Sequence, residues 1–361
     1  MAVYIITFAL SCILLFQSQH LKRKWNIWSI SGLILPCIVA SFRSTDVGTD
    51  TEMYHYIFES CRELTLHDFI SNNNLNVEIF FYFASQLGKK ISGFSFVLFI
   101  YQGLNVYFLY DISYSLKKSL SIWIVFLLYY IFLYSYSLNI VRQITCVMYV
   151  VWISKFLVQN NRMKFILGCI LGFIFHSTVI VGGGIVWMCY LIYNTTGFKQ
   201  KQYIFISICG MIVFSIIISK LADFLTLAEI GQTARYGNYL GKDTSYIGKT
   251  DLLVRIIFLT LIVYLGSTGR IRKNLFYSFA ILLYFEIILF FCGKYSNVIF
   301  RLSLYPTAFD ILIVPYLINL KIFKRYSQLI LKTSLIIFGT VYWIYTIVLN
   351  NTNDIIPYST I

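Results

Sequence analysis

Residues 120–138, Leu120-Ser-Ile-Trp-Ile-Val-Phe-Leu-Leu-Tyr-Tyr-Ile-Phe-Leu-Tyr-Ser-Tyr-Ser-Leu138, carry no charge and are long enough to cross a bilayer as one helix. Residues 328–349 repeat the pattern, with Lys332 the one interruption. The rest of the chain matches these runs. It is 58% hydrophobic and 12% charged, where a soluble domain carries about a quarter charged residues. A compact water-soluble fold cannot hide that much apolar surface, which excludes a soluble enzyme, a disordered tail and a nucleic-acid reader. The apolar runs are about twice the length of barrel strands and alternate weakly, which argues against a membrane barrel. The sequence therefore predicts an all-α polytopic integral membrane protein, one domain over 1–361. About twelve transmembrane helices are expected, near 2–16, 25–42, 94–113, 120–138, 140–158, 163–177, 179–193, 203–221, 252–267, 274–292, 302–320 and 328–349. Two long loops, 43–93 and 222–251, separate them.

Charge sets the orientation. Alternate short loops carry Lys22, Arg23 and Lys24; Lys117 and Lys118; Arg162 and Lys164; Lys199 and Lys201; Arg270, Arg272 and Lys273; and Lys321, Lys324 and Arg325. By the positive-inside rule these face the cytoplasm, so much of the net charge of +14 is topological bias rather than a nucleic-acid footprint. The two long loops, which mix both signs, then lie outside, as do both termini, provided 163–193 crosses twice. A cleavable signal is not expected, because the basic cluster follows the first apolar run. The chemistry is expected at the outer face, since function tends to sit on loops held by a rigid frame. The eight cysteines form no CxxC pair and read as small buried hydrophobes, with Cys61 placed in a polar loop.

The segment that points to chemistry is Arg43-Ser-Thr-Asp46-Val-Gly48-Thr-Asp50-Thr-Glu52-Met-Tyr54. Gly48 allows a turn other residues resist, and Asp50 or Thr49 can cap a helix over about 51–62. Asp46 and Asp50 serve either as turn and cap residues or as an acid-lined site beside Arg43, for proton transfer or hydroxyl orientation. Residues 75–90, with Glu78, form an aromatic amphipathic stretch suited to the interface and to a lipid-chain groove. Arg142 follows Asn139, a plausible cap. Arg301 opens the run that contains Tyr305, and Arg235 lies in the second loop. Each arginine alone could be a snorkelling anchor; together they suit a pyrophosphate, which guanidinium groups bind bidentately. His176 ends an apolar run and is either a packing residue or a base. No histidine spacing suggests zinc, and no metal is expected, because arginines can supply the counter-charge. Glu286 and Asp310 fall inside helices, where ionisable groups mark coupling sites or internal bonds.

The Arg43…Asp46-Val-Gly-Thr-Asp50-Thr…Tyr54 segment resembles the hallmark loop of the EpsG family, which groups with Wzy-type O-antigen and capsule polymerases. Asn139-Ile-Val-Arg142-Gln143, Phe175-His176-Ser-Thr and Arg301-Leu-Ser-Leu-Tyr305 resemble that family's later landmarks, in order, over about residues 40–320. Ile144, Thr145 and Cys146 stand where the family often places alanines. The resemblance implies a glycosyltransferase that joins repeat units carried on undecaprenyl pyrophosphate, at the outer face of the inner membrane. On that reading Arg142, Arg301, Arg235 and Arg43 hold the leaving pyrophosphate. Asp50, Asp46 or His176 is the base, and Tyr54, Glu78 and Tyr305 line the groove. The partners implied are the lipid-linked oligosaccharide, membrane lipids and a chain-length regulator, with no nucleic acid and no cofactor. A flippase of lipid-linked oligosaccharide and an O-antigen ligase are the alternatives.

Overall fold

A computed structural model describes residues 1–71, 77–227, 249–293, 295, 297–320 and 323–360. Every element among them is helical, apart from one isolated bridge between Arg43 and Thr360. The chain divides into two compact units, residues 1–179 with 311–361, and residues 180–310.

The first unit opens with α1 (Ala2–Gln19) and α2 (Ile27–Ser41). Asn26 and Ser29 form a reciprocal capping box at the start of α2. Pro36 lies inside α2 and has no N–H to offer the carbonyl of Gly32; the Ser11 hydroxyl of α1 donates to that carbonyl instead, at 2.6 Å. The 43–93 segment then folds into α3 (Thr51–Glu63), α4 (Leu66–Ser71) and α5 (Ile79–Lys90). Tyr54, Phe58 and Cys61 of α3 pack with Phe81 and Tyr82 of α5 and with Val97 and Tyr101 of α6 (Phe94–Ser115). Cys61 is therefore a core residue, not a loop residue, and burial pushes its thiol up to about 11.

The 120–138 run does not form one helix. It breaks at Leu133 into α7 (Ile122–Phe132) and α8 (Tyr134–Asn139). The break places the Tyr134 hydroxyl 2.9 Å from the carbonyl of Pro36, to which it donates. Next come α9 (Val141–Val158) and α10 (Arg162–Gly172), the latter shorter than the 163–177 expected. The second unit contains α11 (Val179–Asn194) from Ile180 onward, α12 (Gly197–Leu227), α13 (Lys249–Ser267), α14 (Lys273–Cys292) and α15 (Asn297–Leu302). Helix α16 (Leu304–Ile318) runs on into the first unit, which closes with α17 (Arg325–Trp343) and a π-helical turn, Ile344–Leu349.

Eight helices among the described residues are long and apolar enough to cross a membrane, and α2, α7 and α11 are shorter apolar helices. By that length criterion the described residues supply eight of the twelve expected. The membrane assignment is supported by what α12 leaves uncovered: Phe205, Ile206, Val213, Ile216 and Ile217 are exposed, a surface suited to hydrocarbon rather than water. Most of the 222–251 loop lies outside the described residues.

At one end of α6 and α9, Asp111 accepts from Lys24, from Lys155 at 2.7 Å and from the Trp152 indole at 2.7 Å. In the second unit, Glu286 accepts from Thr307 at 2.7 Å and pairs with the Arg255 guanidinium at 3.0 Å. Of the two uses the sequence left open for Glu286, the structure supplies the internal bond.

Candidate functional site

Arg43 is 1% exposed. Its two terminal nitrogens each donate at 2.6 Å, one to the carbonyl of Ala40 in the last turn of α2, the other to that of Leu138 in the last turn of α8. Those carbonyls have no helical partner, and both helix ends carry negative dipole charge, so one buried cation closes two helices. Burial pulls the guanidinium down to about 10, still charged at neutral pH. The hydrogen-bonding capacity that the sequence assigned to pyrophosphate is directed into the fold.

The loop beyond Arg43 is threaded tightly. Gly48 has φ +102°, and a Cβ there would lie 2.4 Å from Asn139 Oδ1. The Gly48 N–H donates to the carbonyl of Asp354 at 2.8 Å, and Asn139 donates to that of Asn353 at 2.8 Å. Asn139 thus ties the end of α8 to the tail instead of capping α9, whose N-cap is Ile140. The tail, residues 350–360, runs through left-handed Asn351, Asn353 and Asp354 and adds bonds from Ser44 N–H to Ser359 and from Tyr358 to Val39. Replacing Gly48 with alanine adds both strain at positive φ and an overlap. We expect it to cost about 2–4 kcal/mol, read as a lower melting temperature of the purified protein.

Asp46 is exposed and accepts from the Ser44 hydroxyl at 3.3 Å. Asp50 stands at the N-cap of α3 without a side-chain capping bond, and its carboxylate accepts from Thr49 at 3.2 Å. The helix expected over 51–62 is present, but Asp50 does not fix its start by a cap.

One helical turn beyond Asp50, Tyr54 is buried beneath Arg142, whose guanidinium lies 5.6 Å from the ring centre; the two side chains are also hydrogen-bonded. Arg142, in the first turn of α9, donates to the carboxylate of Glu78, the residue that precedes α5. Glu78 also accepts the backbone N–H of Ser177, and its other oxygen faces His176 Nε2 at 3.9 Å. The side chains of Arg142, Glu78 and His176 are 13%, 18% and 23% exposed, so a ligand can reach them while water screens them poorly. Burial pushes the Glu78 carboxyl above its usual range, against the opposing pull of Arg142 and the Ser177 N–H.

His176 sits in the turn between α10 and α11. Its Nδ1 accepts from the Thr178 backbone N–H at 3.2 Å and lies 2.9 Å from the Thr178 hydroxyl. A nitrogen that accepts from an amide carries no proton, so in the neutral ring the proton is on Nε2, toward Glu78. Beside this group, the wholly buried Tyr101 hydroxyl has no hydrogen-bond partner among the described residues, and it feels the charges of Arg142 and Glu78.

The first unit thus brings together Tyr54, Glu78, Arg142 and His176. Arg301, at the end of α15, and Tyr305, 1% exposed with its ring against Gly182, belong to the second unit. Arg235 lies outside the described residues. Sequence reasoning placed Glu78 in a groove but missed its pairing with Arg142, as well as Ser177, Thr178, Tyr101 and the tail. A carboxylate inside an aromatic run was the available signal, since a buried carboxylate needs a cation. Among the described residues no three His, Cys, Asp or Glu side chains gather as a metal ion would require.

A family model described as the EpsG family matches residues 25–360. No curated protein and no solved structure matches the chain.

Proposed function

Because this chain belongs to the EpsG family, a group of Wzy-type polymerases, we propose that it is a glycosyltransferase of the outer face of the bacterial inner membrane. It moves a growing glycan from undecaprenyl pyrophosphate onto a lipid-linked repeat unit. The observation that carries this reading is the position of Arg142. It stands in the first turn of α9, partly exposed and paired with the Glu78 carboxylate, about thirteen residues from Lys155. At 1.5 Å per residue that is roughly 20 Å. Lys155 shares Asp111 with Lys24 of the basic α1–α2 loop. By the positive-inside rule the lysine end is cytoplasmic, and Arg142 belongs at the other side.

The chemistry suits such a group. Breaking the anomeric carbon–oxygen bond puts positive charge on the sugar and negative charge on the departing pyrophosphate. A guanidinium that binds the leaving group more tightly as it forms lowers the barrier. The family resemblance also assigns Arg301 and Arg235 to the pyrophosphate. The acceptor hydroxyl needs a base, and Asp46, Asp50 and Glu78 are carboxylates of the first unit that could serve. The flippase reading drew on intramembrane acids, and the bonds of Glu286 to Arg255 and Thr307 give that charge an internal use.

Deleting the gene tests the assignment. Loss of a polymerase leaves a single repeat on the final acceptor, and that is the result expected. Loss of a ligase leaves none, and loss of a flippase leaves repeats trapped on the cytoplasmic side; either would overturn the proposal.

A further inference from the structure

We propose that Glu78 is the base that takes the acceptor's hydroxyl proton, and that Arg142 masks it until a lipid-linked diphosphate claims the guanidinium. The inference rests on the polymerase reading and adds the order of events at that site. Its starting point is a conflict of charges. The Arg142–Glu78 pair is neutral as it stands, with Arg142 Nη1 donating to one Glu78 oxygen. A diphosphate can engage the guanidinium fork bidentately and brings more negative charge, so it competes with Glu78 directly. Binding of the donor and release of Glu78 are then one exchange of partners.

Release leaves Glu78 better suited to accept a proton. Arg142 is the main influence holding its carboxyl down against burial, so losing that partner makes the carboxylate more basic. The charged and titratable groups around the Arg142–Glu78 pair are His176 from the turn before α11 and Tyr101 from α6, with Tyr54 and Cys61 from α3 on the Arg142 side. Burial pushes Cys61 up, and the Ser177 N–H and His176 Nε2 side stay in place as donors. His176 cannot be the first proton acceptor, because its Nδ1 is held by Thr178 and its Nε2 carries the proton facing Glu78. Asp46 and Asp50 accept from the neighbouring hydroxyls of Ser44 and Thr49.

The step balances. The anomeric carbon–oxygen bond breaks and its electron pair leaves on the diphosphate, held by Arg142. The acceptor oxygen forms the new bond to the anomeric carbon and gives its proton to a Glu78 oxygen. When the lipid diphosphate departs, Arg142 returns to Glu78, and the restored pair expels the proton to water. The cycle ends in the paired state seen in the structure.

The test uses the full-length protein in lipid nanodiscs with a lipid-diphosphate-linked repeat unit as substrate, and undecaprenyl diphosphate without sugar as the binding probe. Glu78→Gln removes the competing anion and the base but keeps shape and hydrogen bonding. It is expected to bind the probe at least as tightly as the wild type. Its turnover is expected to fall by about 100-fold or more, the usual contribution of a positioned base. The acidic limb of the wild-type pH–rate profile should be missing from its residual activity. Weaker binding of the probe would make the pair structural, and turnover at the wild-type rate would remove Glu78 as the base; either overturns the inference. Should Glu78→Gln fail to fold, Glu78→Asp decides, because it keeps the charge and shortens the reach. Slowed turnover with unchanged probe binding supports the inference, and unchanged turnover refutes it. A wild-type protein that binds no probe and joins no repeats would instead refute the polymerase reading.

Discussion

Replacing Arg142 with alanine is expected to abolish long polysaccharide chains while leaving the protein in the membrane. The purified variant should turn over about 100- to 1,000-fold more slowly, the range found when one charge-stabilising donor is removed from a transition state. The guanidinium meets the negative charge as it develops, so the loss belongs to turnover more than to substrate affinity. One complication can be separated. Alanine also leaves Glu78 partly buried with no cation, a cost in stability. Pairing the change with Glu78→Gln removes that charge, so the double variant should recover melting temperature without recovering polymerisation. Arg142→Lys keeps the charge but not the planar fork, and should recover only part of the rate. Unchanged chain-length distributions on a polysaccharide gel would remove Arg142 from the mechanism.

Arg43→Ala should act through folding. The change removes two charge-assisted bonds from a wholly buried site and leaves the carbonyls of Ala40 and Leu138 unmet. We expect a loss of about 3–5 kcal/mol, a large share of the stability of a typical domain. The signature is low abundance in the membrane, or a much lower melting temperature in detergent, with activity per folded molecule preserved as far as folded protein can be recovered. A variant that accumulates normally and melts like the wild type, yet makes no chains, would place Arg43 with the pyrophosphate.

Arg43 also shows where reading a sequence reaches its limit. Its neighbourhood in the chain, beside Asp46 and Asp50, suggested a charged site. Its fate was decided by the end of α8, which presents the Leu138 carbonyl from far along the chain. Helix positions were legible because apolar length is a local property, and the helix of residues 51–63 was legible from its acidic, glycine-marked start. The break at Leu133 was not legible, and the bond beside it, from Tyr134 to the Pro36 carbonyl, is made to another helix. Arg142 stood out as a cation at a helix start. Its partner Glu78 was seen as a groove residue, and the pairing depends on how α3, α5 and α9 pack. The tail was overlooked, although the asparagines and aspartate of 350–354 are residues that accept left-handed backbone.

The claim on which the account depends is that Arg142 receives the lipid-linked diphosphate on the side away from the lysine loops. An experimental structure with undecaprenyl diphosphate bound tests it most directly. The account predicts diphosphate oxygens on the Arg142 guanidinium, Glu78 turned away from it, and the ligand at the end of α9 remote from Lys155. A diphosphate seated at the Lys24–Lys155 end, or bound elsewhere while Arg142 and Glu78 remain paired, would contradict it.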